Sequence, residues 1–393
     1  MLALQAAMAG LLFAAAAPAA WEGRADVARI AQLLEGTPRE ARMREVLQEL
    51  DRDPDDLDAR RKLKDAVEEA FRSDLQRLRE AGRPDAPASK GAEIRRTAYR
   101  ILLLQAPDPW VRTACSDGYD AFEGGKYVTA AERVILCRKL FPDEDWLWTY
   151  TPLIRRLFRY SLTASKAHPR RMRYYNRIAM ALFDEDWGSA LDGAEMVVNY
   201  LSSKHDPANE IPQWEALERR VRPRIDVQKR PDGLAYYSEH ARTLLKSDPE
   251  KAVDELEAVY LSHVKMPDDG KEVERLLREA YLQRALRQGL RQVDEARAAG
   301  DPALVARSLG ELLRRDPANE ETLRLVQKSG SSEPALLQAQ AYYDRGLQAY
   351  VQGDLARASK EWRDALAADP GFKKADKALA RATKELSLKK PAP

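Results

Sequence analysis

The sequence predicts an all-α fold, an irregular α-solenoid of antiparallel helix pairs, and three observations support that prediction. First, Leu, Ala, Arg and Glu dominate the 393 residues, of which 33% are charged and 7% aromatic; these four residue types lose little side-chain entropy in a helix. Second, apolar residues recur at helical spacing between short Gly- and Pro-rich breaks, without the alternation that a strand requires. Third, small residues recur at fixed offsets in distant segments, which is typical of repeat proteins.

The first 20 residues form an apolar run that precedes the first charged side chain, Glu22. Ala17 and Ala19 have the A-x-A spacing that export peptidases accept, so residues 1–20 are interpreted as a signal peptide. Export would place the protein in the periplasm or outside the cell. The run contains no Lys or Arg and is rich in Ala, so an Ala-rich first helix or an uncleaved membrane anchor is the alternative, and a retained segment would favour the cytoplasm.

Breaks divide the remaining chain into segments of helical pattern. Gly36-Thr37-Pro38 and residues 82–91 interrupt the front part, and residues 328–334 interrupt the back part. The predicted segments are an N-terminal helical region (21–106), helix pairs with a basic stretch (107–205), a Pro-punctuated break (206–233), degenerate helix pairs (234–330), and a last helix pair with a capping helix (334–393).

The clearest pattern of small residues lies within residues 341–370. Gly346 is followed by Gly353 after seven residues, by Ala358 after twelve and by Pro370 after twenty-four. Small side chains let two antiparallel helices touch, a glycine lets the chain turn between them, and a proline stops the second helix. The same three offsets separate Gly118 from Gly125, Ala130 and Pro142.

Residues 341–370 resemble a tetratricopeptide (TPR) repeat. The residues that carry the resemblance are Tyr342, Gly346, Tyr350, Gly353, Asp354, Ala358, Trp362, Ala365, Leu366, Asp369 and Pro370. The likeness is fair over residues 113–142 and architectural elsewhere. It implies a TPR-like solenoid in which each helix pair packs on its neighbours.

The resemblance also implies where a partner would bind, because the family lines its inner surface with the first helix of each pair. The implied groove in the last repeat consists of Tyr343, Leu347, Tyr350 and Val351. Some family members hold a C-terminal carboxylate with Lys and Asn at such positions, which these residues do not provide. A hydrophobic helix or an extended peptide is therefore the expected ligand. The alternative is that a neighbouring helix of the same chain covers these side chains.

The two cysteines are predicted to face each other across one helix pair. Cys115 lies three residues before Gly118, and Cys137 lies seven residues after Ala130, so both share a helix face with the small seam residues. If the protein is exported, a Cys115–Cys137 disulfide is expected there. Two buried thiols that act as apolar filler are the alternative.

A basic stretch without acidic residues spans 155–177 and is interleaved with aromatic residues. It is a candidate docking site for an anionic surface, although acidic residues within 142–146 and 183–187 could neutralise it. The residues of this candidate anion patch are Arg155, Arg156, Arg159, Arg170, Arg171, Arg173 and Arg177.

No arrangement of catalytic or metal-binding residues stands out in the sequence. The four His are far apart and form no zinc motif. No cofactor is expected, and a net charge of +2 gives no reason to expect a specific nucleic acid.

The predicted function is that of a non-enzymatic scaffold or adaptor that binds a protein partner. We expect it to belong to a multiprotein assembly of a bacterial cell envelope, such as one for secretion, pilus or motility function, or wall assembly. The alternatives are a cytosolic regulatory adaptor, and a protein that binds polyanions or a membrane surface through residues 155–177.

Overall fold

The structure, a computed structural model, describes the chain from Trp21 to Lys389 with short gaps. The gaps are residues 22, 87, 106–114, 116–117, 141–152, 155, 158–168, 205–209, 230–231, 263–268 and 330–333. The predicted signal peptide and the last four residues therefore lie outside the described part. Within that part every regular element is a helix, so the all-α prediction is confirmed.

Sixteen helices with defined bounds lie within the described residues. They are α1 Arg24–Leu33, α2 Pro38–Arg52, α3 Leu57–Ala81, α4 Lys90–Leu104, α5 Tyr127–Leu140, α6 Pro169–Phe183, α7 Trp187–Ser203, α8 Ile211–Lys229, α9 Gly233–Ser247, α10 Pro249–Ser262, α11 Asp269–Ala298, α12 Pro302–Arg315, α13 Glu320–Lys328, α14 Pro334–Val351, α15 Leu355–Ala368 and α16 Lys373–Lys389. Residues 118–123 are also helical and precede α5.

The chain divides into two compact units. The first unit comprises residues 1–70, 97–112 and 285–393, and the second comprises residues 71–96 and 113–284. The first unit thus brings together the two ends of the chain, which the sequence pattern had assigned to separate segments. Contacts between residues far apart in sequence determine this grouping, and a local sequence pattern does not predict such contacts.

The core of the first unit surrounds Trp362, a fully buried residue of α15. A Cβ atom added to Gly346 of α14 would lie 2.4 Å from Nε1 of Trp362, so the indole rests directly on the glycine backbone. The indole Nε1 donates a hydrogen bond to the Tyr343 carbonyl oxygen at 3.2 Å. Ala358 and Ala365 are fully buried in the same cluster. The small residues in the predicted repeat therefore let α14 and α15 approach closely.

Helix α3 covers the last helix pair within the first unit. Leu57 belongs to the same buried cluster as Trp362. The Arg61 guanidinium lies 3.9 Å from the ring centroid of Tyr350, in the range of a cation–π contact. Arg61 also pairs with Glu385 of α16 at 3.1 Å. A helix from the front of the chain is thus part of the packing around the last repeat.

The second unit contains the helix pairs α6–α7 and α9–α10, with α8 between them in sequence. Trp187, fully buried at the start of α7, donates from Nε1 to the Leu261 carbonyl oxygen in α10 at 2.9 Å. A Cβ atom on Gly193 of α7 would lie 2.6 Å from Ile178 of α6. Glycine in the helix interior therefore allows close helix contact here, as it does at Gly346.

Cys115 and Cys137 form a disulfide in the second unit, with Cα atoms 5.9 Å apart. Both side chains are buried. The link joins the segment before residues 118–123 to the last turn of α5, across the turn at Gly124 and Gly125. The structure therefore brings together the pair that the helix-face argument selected.

The predicted break at residues 206–233 is wrong over residues 211–229, which form the continuous helix α8. Pro223 lies inside this helix, where it removes one backbone hydrogen bond. The apolar face of α8, which includes the buried side chains of Trp214, Leu217 and Val221, stabilises the helix against that loss. Burial of an apolar face outweighs the local signal of one proline.

The different space around two helical glycines of the first unit predicts that substitution by alanine has opposite effects on stability at the two positions. Gly346→Ala should lower the free energy of unfolding by about 1–3 kcal/mol, because the added methyl group overpacks the indole. At Gly310 of α12 an added Cβ would meet nothing within 4 Å, so Gly310→Ala should raise stability by up to about 1 kcal/mol through helix propensity. Urea unfolding followed by tryptophan fluorescence measures both, and equal effects would contradict the contact.

The disulfide predicts a specific loss of stability in reducing conditions. Its loop spans a sequence separation of 22 residues, for which chain entropy gives about 3 kcal/mol of stabilisation. A reductant should lower the urea midpoint of the wild type. The double variant Cys115→Ala/Cys137→Ala should start from the lower midpoint and not respond to reductant. If reductant leaves the wild-type midpoint unchanged although mass spectrometry shows free thiols, the bridge adds no stability.

Candidate functional site

A cavity of about 530 Å³ lies within the first unit and is the candidate functional site. The residues that line it come from the start of α1, the α2–α3 loop and α3, the end of α4, α12, α14 and α16. They are Trp21, Gly23, Pro54, Asp55, Arg60, Leu63, Ile101, Leu104, Gln105, Arg314, Gln340, Asp344, Leu347, Gln348, Val351 and Lys374. The volume is within the range of sites that bind small ligands or short chain segments. An apolar cleft beside Leu309 and Leu313 measures only about 30 Å³.

One face of α14, the first helix of the predicted repeat, lines this cavity. Its contributing residues, at helical spacing, are Gln340, Asp344, Leu347, Gln348 and Val351. The predicted groove differs from this face at two positions. The side chains of Tyr343 and Tyr350 are buried in the core against Trp362 and do not line the cavity. Leu347 and Val351 do line it, although both are largely buried. The alternative, that helices of the same chain cover part of the stripe, holds for the two tyrosines.

The end of α4 lies against the same face of α14. Gln348 donates from Nε2 to the Leu104 carbonyl oxygen at 3.2 Å. One turn later, Gln352 donates to the Gln105 carbonyl oxygen at 3.0 Å. Carbonyl groups at the end of a helix generally need donors from outside the helix, and the two amides donate to carbonyls at the end of α4. The apolar side chain of Leu104 then forms part of the cavity wall.

Trp21 lies at another wall of the cavity, where side chains of α2 and α3 contact it. Its Nε1 donates a hydrogen bond to Asp51 at 3.2 Å. The guanidinium of Arg60 lies 5.1 Å from the indole centroid, in cation–π range, and Arg60 Nε donates to the Pro54 carbonyl oxygen at 3.0 Å. The first described residue of the chain is therefore part of the site.

The carboxylates that line the cavity already have partners. Asp55 accepts a hydrogen bond from the Tyr343 hydroxyl and lies 2.8 Å from Nζ of Lys374. Asp344 lies 3.4 Å from Nε of Arg314. Burial, and after it the charge of Asp55, raises the pKa of Tyr343 above its usual value. The hydroxyl therefore stays protonated and continues to donate to Asp55.

The structure describes the candidate anion patch only in part. Outside the described residues lie Arg155 and Arg159, together with the side chains of Arg170 and Arg171. Arg156, Arg173 and Arg177 are exposed, and Arg177 lies 3.5 Å from Asp192. An acidic partner thus reaches at least one member of the patch, and anion binding stays a prediction.

The second unit contains a buried ion cluster centred on Arg95, which the sequence had not indicated. The Arg95 guanidinium lies 2.6 Å from Asp74 and 2.9 Å from Asp85. It also lies 2.8 Å from Glu123, which accepts a hydrogen bond from Tyr119 at 2.7 Å. Three carboxylates therefore surround one buried arginine, and Arg77, which pairs with Asp74 at 2.8 Å and with Asp85 at 2.5 Å, supplies a second positive charge.

A further buried cluster in the second unit involves α5, α8 and α10. Glu132 is buried and pairs with Arg224, also buried, and with Arg220 at 2.9 Å. The next residue, Arg133, pairs with Glu257 at 2.8 Å. Neither cavity described above is lined by these groups. They hold helices together and do not form part of the candidate site.

A weak signal in the sequence could have revealed both clusters. Arg95 lies three residues after Ala92 and three before Ala98, both fully buried, so it occupies an apolar stripe of α4. Glu132 similarly lies four residues before the buried Leu136. A charged residue in an apolar stripe needs a partner of opposite charge. The partners are distant in sequence, however, so only the fold identifies them.

Two carboxylates in these clusters have lowered pKa values. Burial alone would raise the pKa of Asp85, but hydrogen bonds from Arg77 and Arg95 outweigh it, and the pKa is lowered. Burial likewise opposes ionisation of Glu132, yet nearby arginines, of which Arg224 has the largest effect, lower its pKa. Each group therefore contributes stability above its unfolded-state pKa and loses that contribution as pH falls through its folded-state pKa.

These pKa shifts predict acid sensitivity of the second unit. As pH falls from 7 to below about 4, the free energy of unfolding of the wild type should decline. Asp85→Asn should be less stable at pH 7 and should show a shallower decline, because one of the shifted groups is gone. The exposed Asp226→Asn in α8 is the matched control and should follow the wild type. Urea unfolding at several pH values measures this, and identical slopes for wild type and Asp85→Asn would refute the assignment.

Within the described residues, no group of three or more His, Cys, Asp or Glu is placed to hold a metal ion. None of the helices given above is long and apolar enough to cross a bilayer. Comparison of the chain with models of protein families, with curated proteins and with solved structures finds no match.

Proposed function

We propose that the protein is a non-enzymatic adaptor that binds a segment of a protein partner in the cavity of the first unit. The observation that carries this proposal is the α14 face that lines the cavity, with apolar side chains next to amides and paired charges. A peptide needs both kinds of contact, because its side chains favour apolar walls and its backbone needs hydrogen bonds.

The resemblance of residues 341–370 to a TPR repeat supports the choice of a peptide ligand. Gly346 contacts Trp362, and the chain turns between α14 and α15 at Gly353, whose φ is +85°. In the family that residues 341–370 resemble, the first helix of a pair faces the ligand. Here that helix is α14, which lines the cavity.

The buried charges of the second unit support a binding protein more than an enzyme. Arg95 and Glu132 have salt-bridge partners from this chain. Catalytic groups in clefts commonly have perturbed pKa values, whereas these groups do not line the cavity and each pairs with an oppositely charged residue of its own unit. Their arrangement is that of structural ion clusters.

We also propose that the adaptor acts in a bacterial cell envelope. The apolar run with Ala17 and Ala19 supports export. The disulfide between Cys115 and Cys137 is of a kind that persists in oxidising compartments. Cytosolic action is the alternative if residues 1–20 are retained.

Site-specific photocrosslinking in the native host tests the adaptor proposal. A photoreactive benzoylphenylalanine at Gln340, on the cavity face of α14, should crosslink to a partner protein. The same residue at Lys360, exposed on α15, should not give that product. Leu347→Arg should abolish the Gln340 crosslink, because a charged side chain would then occupy the apolar wall.

Two results decide the outcome of this experiment. A product that forms at Gln340, is absent at Lys360 and disappears with Leu347→Arg supports binding in the cavity. If Gln340 gives no crosslink although circular dichroism shows a folded protein, or if Leu347→Arg leaves the product unchanged, the cavity is not the partner site.

A further inference from the structure

We infer that the cavity selects acidic, apolar segments of its partner, a conclusion that rests on the proposed function and specifies the chemistry of the ligand. In this assignment apolar side chains enter the cavity, and neighbouring carboxylates of the ligand face Arg314 and Lys374. The inference depends on the apolar wall, on the partners of the carboxylates, and on which charges remain exposed.

The apolar wall comes from three helices of the first unit. Leu63 belongs to α3, Ile101 and Leu104 to α4, and Leu347 and Val351 to α14. Side chains from separate helices form an apolar surface that disfavours a purely polar ligand, since such a ligand would lose its hydration there. A ligand must therefore bring at least one apolar side chain.

The carboxylates of the lining are occupied by groups of this chain. Asp55 is held by Lys374 at 2.8 Å and by the Tyr343 hydroxyl. Asp344 accepts a hydrogen bond from Gln340 Nε2 at 2.7 Å and pairs with Arg314 at 3.4 Å. A basic ligand would have to compete with these internal partners for the carboxylates, so it would gain little binding free energy from them.

The cations of the lining are more exposed than the carboxylates with which they pair. The side chain of Lys374 is 53% exposed and that of Asp55 is 29% exposed. The corresponding values for Arg314 and Asp344 are 40% and 27%. With Arg60, the lining has three cations and two carboxylates. More of the exposed charge in the lining is therefore positive than negative.

Cations of this type can bind a second carboxylate while they keep the first. An ammonium group has three hydrogen-bond donors and a guanidinium group has five, and both are donors only. A ligand carboxylate near Arg314 or Lys374 therefore extends the existing pair into a small network. An ammonium group on the ligand would instead meet like charge.

Three capped twelve-residue peptides provide the probes for this inference. They share the same leucine positions and carry Glu, Gln or Lys at the remaining positions. Each is labelled with a fluorophore, and its binding to the full chain is measured by fluorescence anisotropy. We expect the Glu peptide to bind most tightly, and its affinity to fall as salt is added, because the selecting charges are exposed.

A pair of matched double variants tests the two cations directly. Arg314→Gln/Lys374→Gln removes both from the lining and should weaken the Glu peptide by about five- to tenfold, the effect of two partly exposed charge contacts. Arg307→Gln/Lys377→Gln removes the same charge from exposed positions of α12 and α16 outside the cavity. This control should bind like the wild type, and circular dichroism establishes that both variants fold.

The outcomes separate this inference from the proposed function. Preference for the Glu peptide that is lost only in the lining variant supports acidic selection. Equal binding of the three peptides, tighter binding of the Lys peptide, an equal loss in both double variants, or no binding of the Glu peptide overturns it. The crosslink at Gln340 does not depend on the charge of the ligand. A crosslinked product without a preference for the Glu peptide would therefore support the adaptor proposal and contradict acidic selection.

Discussion

Trp362 packs directly on the backbone of Gly346, and this contact determines how α14 is rotated in the first unit. Because the indole occupies the space beside the glycine, the faces of α14 next to it, with Tyr343 and Tyr350, turn into the core. The face with Leu347 consequently lines the cavity. At about 100° per residue, the cavity face is rotated by about 60° about the helix axis relative to the predicted stripe, and the two share Leu347 and Val351. The position of the candidate site thus follows from one close helix contact.

The second unit depends on a different constraint, the compensation of charges that its packing buries. Helix α5 contributes the buried carboxylate of Glu132 to one ion cluster, and the helical segment before it contributes the half-buried carboxylate of Glu123 to the other. The disulfide between Cys115 and Cys137 links α5 to the chain just before residues 118–123. Removal of one partner from a buried pair leaves an uncompensated charge and costs several kcal/mol. The two clusters therefore restrict which helix arrangements are compatible with the sequence.

Local chemistry made some helix ends predictable. The breaks at Gly36 and at Gly353, both with positive φ, occur where the sequence predicts them, because glycine adopts the left-handed conformation that ends a helix. Prediction failed at Pro223, since the apolar face of α8 stabilises the helix more than one lost hydrogen bond weakens it. It failed for Tyr343 and Tyr350 because helical periodicity shows that residues share a face without showing what that face contacts.

The sequence by itself determined the helical class, the helix pair at residues 341–370 and the cysteine positions that can be bridged. All three depend on spacing along one or two helices, which the chain encodes locally. Only the tertiary structure decided that the two ends of the chain form one unit, that α14 lines a cavity, and that Arg95 pairs with Asp74 and Glu123. Those features depend on contacts between residues distant in sequence, and they exist only once the helices have packed.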